Sequence, residues 1–80
     1  MEGDLQRTLG DNLRAYRQAR GLSQEAFADV LEVHRTYMGG IERGERNLTL
    51  KSVERIASQL DLDPLVLLTE QGLQLPDGES

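Results

Sequence analysis

The sequence predicts an all-α protein, a compact bundle of five short helices. Three observations predict it. Apolar residues recur at three- and four-residue spacings, and nothing alternates as a half-buried strand would. Capping residues and glycines divide the 80-residue chain into short segments. Two of those segments, in the middle of the chain, are short and joined by a tight turn.

Leu5, Leu9, Leu13 and Tyr16 form the stripe of a first helix running to about Arg20, with Gly21 as its stop. Ser23 caps a second helix of about eight residues whose apolar side is Ala26, Phe27, Val30 and Leu31. After Glu32-Val33-His34 the pattern restarts with Met38 and Ile41, and Gly44 closes the third helix. Glu45-Arg46-Asn47-Leu48 is a polar loop. Thr49 caps a fourth helix with apolar positions Leu50, Val53, Ile56, Ala57 and Leu60. Asp63-Pro64, a capping carboxylate before a proline suited to a first helical position, starts a fifth at Leu65-Val66-Leu67-Leu68. Residues 1–70 read as one domain and residues 71–80 as a flexible acidic tail with little to bury.

Composition narrows the function. The absence of cysteine excludes disulfides and thiolate metal sites, and His34, the single histidine, cannot build a metal cluster alone. No cofactor or metal is expected. No apolar run reaches the ~20 residues of a membrane span, and the acidic N-terminus lacks the pattern of a secretion signal. A cytoplasmic location is the default. Without a carboxylate–histidine constellation or a phosphate-cradling glycine loop, no enzyme is expected. The net charge of −5, from 9 basic and 14 acidic residues, argues at first against a nucleic-acid partner. Distribution changes that reading, because every basic residue lies between Arg7 and Arg55, and Arg35, Arg43, Arg46, Lys51 and Arg55 outnumber the acids in residues 34–55. The middle of the chain is a candidate positive face.

Two short helices around a tight turn fit a DNA reader, one helix crossing the phosphate backbone and the next entering the major groove. The stretch from Gly21-Leu22-Ser23-Gln24-Glu25-Ala26-Phe27-Ala28 to His34-Arg35-Thr36-Tyr37-Met38-Gly39-Gly40-Ile41-Glu42-Arg43-Gly44 resembles the lambda-repressor-like, or Xre-type, helix-turn-helix family. Arg35-Thr36-Tyr37, Ile41-Glu42-Arg43 and Arg46-Asn47-Leu48-Thr49 are similar to the controller proteins of restriction–modification systems. The resemblance covers residues 5–68 and implies a sequence-specific regulator of transcription acting on double-stranded DNA.

It also implies roles. Gln24, opening the second helix, would reach a phosphate; an ordinary exposed first-turn residue is the plainer alternative. Ala28 would be the small residue that lets the two helices approach. Arg35 has the fork for guanine O6 and N7, and Thr36 suits a thymine methyl or a phosphate. Tyr37 is divided between phosphate contact and core packing. Gly39 and Gly40 each cost ~1 kcal/mol against alanine inside a helix, which points to close approach of backbone to DNA. Arg43, Arg46 and Asn47 would meet phosphate or a groove edge, against the alternative of a polar surface loop. His34 stands where Ser, Thr or Asp would cap better, and Glu32 holds a turn position usually occupied by glycine, so strain or a different turn is expected there.

Arg17 and Glu42 lie on the buried stripes of the first and third helices. A charge on an apolar face needs a partner, so these two are expected to pair, as the family commonly pairs these positions. Leu62, Leu65, Val66 and Leu68 exceed what one monomer helix can bury and suggest a homodimer interface, with an inverted-repeat operator. RNA polymerase is a further candidate partner, through an exposed acidic patch such as one containing Glu25. An antitoxin, which binds a protein partner as well as DNA, is the competing reading; there the leucine run and the acidic segment 61–80 would hold that partner.

Overall fold

The computed structural model describes residues 4–69, and among these it contains helices and no strand. The helices are α1 (Asp4–Ala19), α2 (Gln24–Leu31), α3 (Arg35–Glu42), α4 (Leu50–Leu60) and α5 (Pro64–Leu67). The expected tail, residues 71–80, lies outside the described residues.

Each boundary has a local cause. Ser23 accepts from the Ala26 amide at 3.0 Å, Thr49 from the Ser52 amide at 3.1 Å and Asp63 from the Leu65 amide at 3.0 Å, each satisfying an orphan donor of a helix start. The other ends of α1 to α4 close alike, with a residue in the left-handed conformation and paired backbone bonds back into the helix. Gly21 and Gly44 do this at φ 70 and 75, and Glu32 and Asp61 do it at φ 60. At Glu32 the Val33 amide reaches the Ala28 carbonyl at 2.9 Å. The turn usually made by glycine is thus kept, and the glutamate takes the strain.

The core is Leu9, Leu13, Phe27, Ala28, Leu31, Met38, Ile41, Val53, Ile56, Ala57, Leu60 and Leu67. Tyr16 is half-buried and stacks on Phe27 with ring centroids 5.8 Å apart. Three expected core positions are corrected. Leu5 is 45 %, Val30 46 % and Leu50 74 % exposed. Leu5 and Leu50 each lie in the first turn of their helix at one end of the bundle, where they line a mostly apolar groove with Leu9, Leu48, Val53 and Leu68, bordered by Gln6 and Arg46. On α2, Ala28 rather than Val30 faces inward.

Two buried residues of α1, a glycine and an asparagine, govern how α3 and α5 sit. A methyl group on Gly10 would lie 2.4 Å from the Ile41 carbonyl oxygen and 2.7 Å from that of Glu42, so only glycine lets the end of α3 come this close. Asn12 is 6 % exposed. Its amide nitrogen donates to the carbonyls of Leu67 and Thr69, each at 2.8 Å, and to that of Val66 at 3.4 Å. These are carbonyls at the end of α5 that have no helical partner. Asn12 lies three residues after Leu9, on the apolar stripe, which is the signal that marks it in the sequence.

Candidate nucleic-acid interface

The start of α2 and the exposed side of α3 form a cleft lined by Gln24, Glu25, Arg35, Thr36, Gly39 and Arg43. It rests on a buried carboxylate. The Glu42 side chain is 1 % exposed and takes Arg17 Nε on Oε2 at 2.8 Å and Arg17 Nη2 on Oε1 at 3.1 Å. This two-pronged pair ties α1 to the end of α3. Arg17 Nη1 also donates to the Leu22 carbonyl at 3.1 Å, fixing the α1–α2 loop to the same point. Arg14 Nη2 reaches the Glu42 carbonyl at 3.3 Å.

Gln24 adds to this cluster. Its Nε2 donates to Glu42 Oε1 at 3.0 Å, so the group expected to meet phosphate is engaged inside the protein. The cause is Glu42, a buried carboxylate that draws in every donor within reach. His34, the unusual cap, holds the Thr36 amide on Nδ1 at 3.1 Å. In the neutral ring Nε2 is then the donor, and it sits on an exposed residue at the start of α3.

Arg35 and Thr36 are exposed at that capped start, and Arg35 Nη1 lies 3.6 Å from Glu25 Oε1 across the cleft. Tyr37 is half-buried against the core, with the Arg46 guanidinium 5.0 Å above its ring. Arg43 Nε pairs with Glu45 Oε1 at 3.2 Å. Asn47 Oδ1 accepts from Gln6 Nε2 at 2.9 Å, which fastens the loop after α3 to α1. Gly39 and Gly40 are buried rather than bare. A methyl on Gly39 would meet Arg43 Nη1 at 3.2 Å, and one on Gly40 would meet Arg46 Nε at 3.0 Å. The room the glycines leave is therefore taken by this chain's own arginines.

The expected interface residues divide. Leu62 and Leu68 are half-buried on the core, Val66 is half-buried, and Leu65 is 66 % exposed, while Leu67 between them belongs to the core. Sequence reasoning passed over Gly10, Asn12 and Gln6, whereas Glu45 is expected there to offset part of the loop's positive charge and pairs with Arg43. Gly10 carries a signal, since a glycine in a helix interior calls for a packing reason. Gln6 carries none, because its partner Asn47 depends on how the loop folds back.

A capped recognition helix behind a short cross-backbone helix, braced by a buried charge pair, defines the class, and residues 13–67 match the helix-turn-helix family. The chain belongs to that family. It is 43% identical over 75 residues to control protein C.SmaI of Serratia marcescens, covering 94% of this chain and 89% of the relative. The crystal structure of the restriction–modification controller protein C.AhdI from Aeromonas hydrophila superposes with a TM-score of 0.68 at 42% identity, over 78% of this chain and 94% of that one. C.Esp1396I bound to a 19-base-pair DNA duplex matches with a TM-score of 0.68 at 34% identity, over 88% of this chain and 92% of that one. The protein is a helix-turn-helix transcription regulator homologous to restriction–modification controller proteins. The comparisons favour this over the antitoxin reading. Among the described residues no helix is long and apolar enough to cross a membrane.

Proposed function

We propose that residues 1–70 act as one unit, a cytoplasmic homodimeric reader of double-stranded DNA that controls a restriction–modification locus and its own promoter. The observation that carries the proposal is the placement of Arg35 and Thr36, both exposed on the first turn of a helix whose far end is fixed by the Glu42 cluster. A rigid helix with its exposed start in the major groove brings such side chains to base edges. Arg35 supplies the two-pronged guanine contact, and Thr36 a thymine methyl or a phosphate contact. Arg43, Arg46 and Asn47 border the groove from the loop side. Leu65, Val66, Leu62 and Leu68 form the self-complementary face, which sets the two recognition helices about 34 Å apart.

Selection from random duplex DNA near physiological salt tests this. Enrichment of one inverted repeat bound by two copies is expected, and Arg35→Ala is expected to weaken that complex by about 1–3 kcal/mol and relax one position of each half-site. Failure to enrich any sequence would overturn the proposal.

A further inference from the structure

Two adjacent glycines in the eight-residue helix α3 disfavour the helix, and Gly40 faces neither the core nor open solvent. The nearest atoms to a methyl group there would be Nε, Cγ and Cδ of Arg46, at 3.0, 3.2 and 3.6 Å. Arg46 belongs to the loop after α3, yet its side chain lies back along the helix over Gly40. Its guanidinium ends 5.0 Å above the ring of Tyr37, one helical turn nearer the start of α3. Two independent contacts thus define one seat, flat at Gly40 and aromatic at Tyr37. Arg46 is otherwise an exposed residue, and a long side chain on a loop would sample many rotamers.

We propose that Gly40 is a positioning residue for DNA reading: with Tyr37 it forms a seat that holds Arg46 along α3, its cation over Tyr37 in the first turn of the helix that also carries Arg35 and Thr36. The seat works by pre-organisation. An arginine already lying along the helix loses less freedom on meeting a phosphate or a base than one released from a free loop. Stacking on the aromatic face holds the guanidinium while its edge N–H groups remain free to donate. This accounts for a helix-weakening glycine whose bare side is covered by Arg46 rather than left open to DNA. The inference rests on the DNA-reading proposal above.

Alanine at position 40 separates the two things glycine does there. It favours the helix, and it removes the room for Arg46. The Gly40→Ala homodimer, Arg46→Ala and the double variant are to be titrated against the duplex enriched by the unmodified protein. Gly40→Ala is expected to bind about 5- to 10-fold more weakly while its thermal midpoint holds or rises, by up to roughly 4 °C. In the Arg46→Ala background Gly40→Ala should change affinity less than about twofold, because both act through one side chain. The Arg46 side-chain protons of the unmodified free protein are expected to show an upfield ring-current shift from Tyr37, and Gly40→Ala is expected to lose it.

Unchanged affinity in Gly40→Ala, beside a clear loss in Arg46→Ala, would overturn the seat and leave the DNA-reading proposal standing. An equal loss from Gly40→Ala with and without Arg46 would also overturn it, as would a fall in the midpoint that tracks the loss of binding. Absence of any enriched duplex is the different result that removes the DNA-reading proposal itself.

Discussion

Helices α3 and α4 are both buried on one side, but by different physics. The recognition helix α3 packs on α1 and α2 through groups that demand direction. Its last carbonyls meet Gly10, and its Glu42 carboxylate takes Arg17 from α1 and Gln24 from α2. Helix α4 packs on α2 and α5, and its buried residues are Val53, Ile56, Ala57 and Leu60, all apolar. Hydrophobic burial is non-directional and tolerates small rotations. A two-pronged ion pair against a glycine contact does not. The angle of the reading helix is thus fixed by polar chemistry added to its buried Met38 and Ile41, whereas α4 is held by area.

The sharpest way to break this comparison is at Arg17. Arg17→Ala leaves the Glu42 carboxylate buried with Gln24 and the distant Arg14 as its partners, and should lower unfolding stability by about 3–5 kcal/mol in a urea titration. Replacing both partners, Arg17→Met with Glu42→Leu, should restore stability to within about 1 kcal/mol of the parent, since apolar pairs of similar volume often substitute without loss. The same double variant should bind the selected duplex more weakly, because nothing then fixes the end of α3. If it regained full affinity as well as stability, the orienting role of the pair would be wrong.

Gly10 tests the same contact from the backbone side. Gly10→Ala should cost about 1–3 kcal/mol by chemical denaturation even though alanine favours the helix, since backbone carbonyls must move to admit the methyl. At α4 the expectation is milder. Ile56→Val should cost about 0.5–1.5 kcal/mol, and DNA affinity should be unchanged when measured below the unfolding transition. An affinity loss there would mean that the apolar end also sets the angle of α3.

The contrast also explains what was legible in the sequence. The helices were readable because their apolar spacing and caps are local properties, and Ser23, Thr49 and Asp63 all cap as expected. Arg17 and Glu42 were readable because opposite charges on apolar stripes have few other places to go. Leu50 and Leu5 misled, because spacing gives the face of a helix but not whether anything covers its first turn. Family resemblance points Gln24 outward, and only the folded arrangement shows Glu42 drawing its amide in. The glycine pair, taken from sequence alone, suggests room for DNA. Arg43 and Arg46, which fill that room, lie four residues after Gly39 and six after Gly40, and Arg46 lies past a turn whose path no local pattern dictates.

The smallest predicted effect sharpens a second contrast, between turns closed by glycine and turns closed by acids. Glu32 and Asp61 stand at φ 60 where Gly21 and Gly44 stand at φ 70 and 75, with the same backbone bonds. A side chain in this conformation costs about 1–2 kcal/mol, and a negative charge beside a helix C-terminus adds to it. Glycine removes both, but gives back ~0.4–1 kcal/mol through the greater freedom of the unfolded chain. Glu32→Gly and Asp61→Gly should therefore each stabilise by about 0.5–1 kcal/mol, read as a rise in thermal midpoint. Aspartate tolerates the left-handed region better than glutamate, because its short side chain bonds to nearby backbone. Glu32→Gly should accordingly gain more than Asp61→Gly. The reverse order would mean that contacts of the Glu32 side chain beside the recognition helix, rather than its backbone conformation, decide the residue at this turn.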